Sequence, residues 1–269
     1  MRRAAFLSLF VLFSLVLAAC GGAAPAEEAA APSGDPNDLG GREVTIMVEN
    51  AYPPFNYIDE NDEAVGWDYD VWREICERLN CEPVFVEAAW PPFEMMAAGE
   101  VDVAADGITL TFPRSLVVDY SDPYIEYGQT MLIRTDSPWT TEEEFVADES
   151  ATVGSQPGTT NEAISLKLVG EERVKGFGEF PIAVEALLAG DVDGVALDEV
   201  AAVEYIKQHP DDLKAGFNVT SGELLAFAFP PGSELIGPVN VAIQDMINDG
   251  SMDEYCQEWL LRDCSPAEE

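Results

Sequence analysis

The sequence predicts an α/β protein folded as two lobes of like construction, and three observations lead there. β-Branched runs alternate with helical periodicity: Val44-Thr45-Ile46-Met47-Val48 is followed, from Asp68, by a stretch that puts Val71, Trp72, Ile75 and Leu79 on one helix face. A motif recurs. Ala98-Gly99-Glu100-Val101-Asp102 with Ala105 returns as Ala189-Gly190-Asp191-Val192-Asp193 with Ala196, and Thr45-Ile46 ending at Glu49 parallels Thr152-Val153 ending at Gln156. From Arg42 onward the chain is long enough for one large domain or two lobes, and the echo favours two unless it is a chance resemblance between short Ala/Gly/Asp motifs.

The N-terminus is read apart from the fold. Arg2-Arg3 precedes an apolar run from Ala4 to Ala19, shorter than the roughly 20 apolar residues a bilayer span needs, with the basic start and small-residue end of an export signal. Leu17-Ala18-Ala19-Cys20 resembles the lipobox of bacterial lipoproteins, in which Cys20 becomes the first mature residue and carries lipid. Residues 1–19 are thus expected as signal peptide. Residues 20–41, rich in Gly, Ala, Pro, Ser and acids without apolar periodicity, are expected as a flexible tether. The formal net charge of −38 argues against a nucleic-acid partner.

Setting Cys20 aside leaves Cys76, Cys81, Cys256 and Cys264, an even number in an exported chain with three possible connectivities. The local pairs Cys76–Cys81 and Cys256–Cys264 are favoured, each stapling a helix end to the segment after it. Zinc is the weaker reading, since neither spacing is CxxC and His209 is distant in sequence. Buried free thiols are the third.

Along the folded part, the loop Asn50-Ala51-Tyr52-Pro53-Pro54-Phe55 holds aromatic rings near the first strand's end, Tyr52 suited to stack on a ligand and Phe55 to the core. Pro83 to Val86 reads as a strand and Pro92 to Ala98 as a helix stopped by Gly99, with Trp90 between them as either an aromatic platform or core. Val101 to Ala105 reads as a buried strand that opens at Gly107, passes Thr109 and reaches a short helix at Arg114. Ligands of open α/β sheets bind at such strand ends. There an arginine fork and a threonine make a carboxylate clamp, unless Arg114 merely pairs with Asp119 or Asp122. Gly128 to Ile133 reads as a crossing strand and Leu225 to Phe229 as a return strand. Thr141 and Glu144, then Thr159 and Glu162, have capping-box spacing. Helices are expected between Pro238 and Leu261, broken near Gly250. The turn from Val153 to Glu162 opens a helix whose unpaired N–H groups suit an anion, but it has no P-loop lysine. No catalytic triad, HExxH or GxGxxG is present, so no catalytic residue, metal or cofactor is assigned.

Taken together, Tyr52-Pro53-Pro54-Phe55, Gly66-Trp67-Asp68-Tyr69-Asp70, Gly107-Ile108-Thr109-Leu110-Thr111 with Arg114, Asp119-Tyr120-Ser121-Asp122-Pro123-Tyr124, Gly158-Thr159-Thr160 and Val192-Asp193 with Asp198 resemble the family 3 solute-binding proteins of bacterial amino-acid ABC importers. The resemblance spans residues 42 to 262. It implies a two-lobed periplasmic-binding-protein-like fold of type II, with residues 42–127 and 226–269 in one lobe, 128–225 in the other, and crossing hinge strands near 124–128 and 221–225. By the same resemblance, Arg114 with Gly107, Thr109, Thr159 and Thr160 would hold an α-carboxylate and Asp198 an α-ammonium. Glu49, Tyr52, Trp90, Asp106 and Gln156 would line the side-chain pocket. The spacing from Trp90 to Asp102 is one residue short of the family's usual one, and Asp106 stands where a small residue is usual. The acids Glu49 and Asp106 suggest a cationic or strongly polar ligand side chain, unless Asp106 pairs with Arg114 or a backbone donor. The implied partners are a free amino acid and an ABC permease. The implied state is a monomer anchored by lipid to the outer face of the cell membrane or in the periplasm. Two rivals use the same module: a cyclohexadienyl-dehydratase-like enzyme with Glu49 or Asp106 as general acid, and a sensory surface lipoprotein.

Overall fold

The computed structural model describes residues 34–264. The expected signal peptide, the lipid-bearing Cys20 and the tether before Gly34 lie outside the described residues. The body begins upstream of Arg42. The N–H of Leu39 donates to Leu79 O (2.7 Å) and that of Gly41 to Asn80 O (2.7 Å), and Leu39 packs against the main core, so the last residues of the expected tether are part of the fold.

The chain enters as β1 (Arg42–Val48) and makes a small meander, β2 (Ala51–Tyr52), β3 (Asn56–Ile58) and β4 (Ala64–Val65). Then come α1 (Trp67–Leu79), β5 (Cys81–Glu87), the short α2 (Phe93–Ala97), β6 (Val103–Ala104) and β7 (Asp119–Tyr120). β8 (Ile125–Tyr127) leads to β9 (Gln129–Arg134), α3 (Glu142–Ala147), β10 (Val153–Ser155), α4 (Thr160–Val169) and β11 (Val174–Gly176). There follow α5 (Phe180–Ala189), β12 (Gly194–Asp198), α6 (Glu199–Gln208) and β13 (Leu213–Asn218). β14 (Glu223–Leu225), β15 (Ala228–Phe229), α7 (Ile236–Asp249) and α8 (Ser251–Trp259) complete the described chain. Among the described residues no helix is long and apolar enough to cross a membrane.

Two five-stranded sheets result, ordered β5-β1-β6-β15-β7 and β11-β10-β12-β9-β13. Each sets three parallel strands beside an antiparallel fourth. The sequence echo has a chemical basis in this layout. The Asp102 carboxylate accepts the Thr45 N–H (2.9 Å) and hydroxyl (2.8 Å), tying the entry to β6 onto β1. Asp193 does the same to Thr152, accepting its N–H (2.9 Å) and hydroxyl (3.1 Å). In both lobes an aspartate thus locks the register of the two strands whose carboxyl ends face the ligand side.

Two expectations about the strands are corrected. The run from Gly128 is not the crossing strand: Gln129–Arg134 is internal to the second sheet, between β12 and β13. The crossing is made just upstream by β8, paired with β14 through Ile125↔Leu225, Glu126↔Leu224 and Tyr127↔Glu223. Gly128 marks the passage from one to the other, because a Cβ there would come within 2.6 Å of Thr220 O. The return run from Leu225 is likewise divided, Leu225 ending β14 in the crossing and Ala228-Phe229 forming β15 in the first sheet.

Disulfides join Cys76 to Cys81 and Cys256 to Cys264, the favoured local pairs, with Cα separations of 4.5 and 5.9 Å. Both capping threonines cap: Thr141 accepts the Glu144 N–H (3.3 Å) and Thr159 the Glu162 N–H (3.0 Å). Each glutamate reaches back one residue further than a capping box requires, Glu144 to the Thr140 N–H (2.9 Å) and Glu162 to the Gly158 N–H (2.8 Å). Replacing Thr141 by alanine is expected to lower the unfolding free energy by about 1 kcal/mol in a denaturant titration, the usual worth of an N-cap oxygen. No change in the midpoint would mean that Glu144 holds the helix start alone.

Candidate functional site

The parallel strands of both sheets end at one cavity between the lobes. Glu49 follows β1, Tyr52 lies in β2, Trp90 follows β5, and Asp106, Gly107 and Thr109 follow β6, with Arg114 opening a 3₁₀ turn (Arg114–Leu116) beyond them. From the second lobe come Gln156 after β10, Thr159 and Thr160 at the start of α4, and Asp198 at the end of β12. All of these line the cavity. Asn161 and Phe180 do so too and were not expected.

Arg114 is the cation of the cavity. Its guanidinium donates to Thr109 O (3.1 Å) and, across the lobes, to Gly158 O (3.2 Å), and it lies over the Trp90 ring at 5.0 Å and the Phe93 ring at 5.5 Å. Among the described residues it makes no ion pair. Asp119 instead accepts the Gly232 N–H (2.7 Å), which disposes of the surface-pair reading, and Asp106 accepts from Asn56 (2.8 Å) rather than from Arg114. Burial lowers the Arg114 pKa from its ordinary value, opposed by the fields of Tyr120, Tyr127, Asp198 and Asp106. A guanidinium stays charged regardless. Its neutral carbonyl acceptors leave its charge unanswered, so the fork is disposed to take an anion.

Several polar contacts join the lobes. Besides the Arg114 bond, Gln156 Nε2 donates to Glu49 Oε1 (2.6 Å) and the hydroxyls of Thr109 and Thr160 lie 3.1 Å apart. Thr109 is also 2.7 Å from the Tyr127 hydroxyl on β8, so a hinge strand is bonded directly to the cavity wall. Gly107 sits at φ +54°, where a Cβ would come within 2.9 Å of the Tyr52 ring. Only glycine accepts both that conformation and that approach. Tyr52 is buried and stacks on Phe55 (5.4 Å) and Phe180 (5.1 Å), so its ring is engaged by protein rather than held open as a platform for a ligand.

Against one cation stand several buried acids. Asp198 is raised to about 7 by burial, opposed by the Tyr52 hydroxyl and the Asn161 amide; Asn161 Nδ2 donates to it at 3.1 Å, while Tyr52 faces it without a well-formed bond. Glu49 is raised to about 7, again chiefly by burial. Asp106 is pushed well above the carboxylate range by burial and then by the field of Glu49. Buried acids with raised pKa values gathered at a cleft mark it as a place where a cation would be stabilised. Asn161 could have been found in the sequence as the polar residue that continues Thr159-Thr160 into the helix start. Phe180 carries no such signal.

Comparison with known proteins agrees with the fold. The sequence profile of bacterial extracellular solute-binding proteins, family 3, matches residues 44–262. The chain is 27% identical to the L-cystine-binding protein TcyA of Bacillus subtilis, over 98% of this chain and 99% of that one. Its fold is similar to that of the arginine-, lysine-, histidine-binding protein ArtJ of Geobacillus stearothermophilus, with a TM-score of 0.77 and 30% identity over 84% of this chain and 97% of that one. It is also similar to the ancestral amino acid-binding protein AncCDT-1, a precursor of cyclohexadienyl dehydratase, with a TM-score of 0.75 and 25% identity over 81% of this chain and 95% of that one. With two such lobes, paired crossing strands and a match over most of its length, the chain belongs to the bacterial extracellular solute-binding proteins, family 3.

Proposed function

We propose that this protein captures a free amino acid between its lobes and delivers it to an ABC permease, exported and held at the membrane by lipid on Cys20. The observation that carries the reading is the pairing of opposite charges across one cavity: an arginine with only carbonyl acceptors on the first lobe, and the buried Asp198 on the second. A zwitterion leaving water needs both of its charges answered, since an unpaired buried charge costs several kcal/mol. Arg114, with Thr109, Thr159 and Thr160 beside it, takes the α-carboxylate. Asp198 takes the α-ammonium. Because the two lie on different lobes, the ligand favours the closed arrangement, which is what a permease distinguishes.

The acids Glu49 and Asp106 favour a cationic or strongly polar side chain, a choice supported by the ligands in the name of ArtJ. Asp198 also weighs against the dehydratase-like alternative, because its carboxylate suits an amino group. Mass spectrometry of small molecules released from the purified protein, followed by thermal-shift screening, is expected to find amino acids with basic or amide side chains. Stabilisation by glutamate alone would overturn the side-chain assignment, and turnover of prephenate or arogenate would overturn the binding role.

A further inference from the structure

Asn56, the first residue of β3, is fully buried and does not line the cavity, yet it is bonded to the elements that build the acidic wall. Its Oδ1 accepts the N–H groups of Glu49 (3.1 Å) and Asn50 (2.7 Å), where β1 ends and the chain turns. Its Nδ2 donates to Asp106 Oδ1 (2.8 Å) and to Asp68 Oδ2 (2.9 Å), at the start of α1. Both amide hydrogens and both lone pairs of the oxygen are engaged. The orientation is fixed, because exchanging O and N would set an NH₂ against two backbone donors and an oxygen against two carboxylates.

One neutral side chain therefore contacts three acids at once, Glu49 through its main chain and Asp106 and Asp68 through their carboxylates, and of these Glu49 and Asp106 line the cavity. The two sense each other, Glu49 being the largest charged influence on Asp106. Left to themselves, neighbouring buried carboxylates move apart or turn toward water. Asn56 removes that freedom for Asp106, and it does so without adding a further charge. In the ligand-free protein the repulsion is relieved by protonation, which the raised pKa of Asp106 reflects; a cationic side chain entering the cavity stabilises the ionised pair, and a neutral side chain of the same shape does not.

We propose that Asn56 is a positioning residue for ligand choice, fixing Glu49 and Asp106 as a carboxylate pair that selects a cationic ligand side chain over its neutral isostere. The proposal rests on the amino-acid-binding reading and adds to it a residue outside the cavity. Calorimetric titration with L-arginine and with L-citrulline, which replaces the guanidinium by a neutral urea of like shape, provides the test. The wild-type protein is expected to prefer arginine by about tenfold or more, the usual worth of a hydrogen bond to a charged group. Asn56→Ser is expected to cut that preference severalfold while citrulline binding stays within about threefold of wild type.

An equal loss for both ligands would assign Asn56 a purely structural part and overturn the proposal, as would a wild-type protein with no preference for arginine. Should Asn56→Ser fail to fold, Asp106→Asn takes its place: reduced preference for arginine supports the carboxylate pair, and unchanged preference overturns it. Absence of wild-type binding to any of the standard amino acids would show itself before either variant is compared, and would overturn the underlying reading together with this one.

Discussion

Replacing Arg114 with alanine is expected to weaken amino-acid binding in calorimetry by more than a decade, to the point of abolishing it at the upper end, while the protein still folds. Truncating one member of a desolvated charge pair typically costs about 2–5 kcal/mol. At about 1.4 kcal/mol per decade, that weakens binding by roughly 30-fold to several thousandfold. The guanidinium is well placed for such a role, steadied by two carbonyls and two aromatic rings and neutralised by no carboxylate. For the same reason its loss leaves no buried acid without its partner, so the penalty to folding is confined to two hydrogen bonds and the ring contacts. Circular dichroism should report a native fold. Unchanged affinity would remove the clamp assignment, and a loss of fold would mean that Arg114 is needed chiefly to hold Thr109 and Gly158.

Arg114 was legible in the sequence because its signal is local: an apolar strand, a glycine, a threonine and an arginine within a few residues. The same holds for the disulfides, whose partners are 5 and 8 residues apart, and for the repeated Asp102 and Asp193. Asn56 was not legible. Its bonds reach Glu49 and Asn50 nearby, but also Asp106, 50 residues away, and the cooperation among them exists only once β1, β3 and β6 have assembled. The run from Gly128 reads as the crossing strand for a related reason, although the family resemblance puts the hinge strands near 124–128 and 221–225, where β8 and β14 lie. Period-two alternation announces a strand without saying which sheet it joins, and the residues from Ile125 to Arg134 supply two strands separated only by Gly128. Phe180 lines the cavity through its stack on Tyr52, on the other lobe, a contact no local pattern foretells.

Asp198→Asn should cost about 2–5 kcal/mol of binding as well, by the same desolvated-pair argument, and it carries a second signature in pH. In the folded chain the Asp198 carboxyl is raised to about 7, chiefly by burial. To hold an α-ammonium it must be ionised, so binding releases a proton wherever the ligand-free protein carries one. With a group titrating near 7, affinity is expected to be roughly tenfold weaker at pH 6 than at pH 8. Calorimetry in buffers of different ionisation enthalpy would detect the released proton. Stability of the ligand-free protein runs the opposite way. A carboxyl raised in the folded state stabilises it fully below the ordinary carboxylate range, near pH 4, and that contribution is lost as pH rises through about 7. Glu49 and Asp68, each also raised to about 7 by burial, act in the same sense. The ligand-free protein should therefore melt lower at pH 8 than at pH 6, while the stabilisation added by ligand should grow over the same interval. Asp198→Asn removes one titrating group and should reduce both slopes. Affinity that stays flat from pH 6 to pH 8 in the wild-type protein, or binding by Asp198→Asn as tight as wild type, would separate Asp198 from the ammonium and leave the second lobe without its charge in the grip.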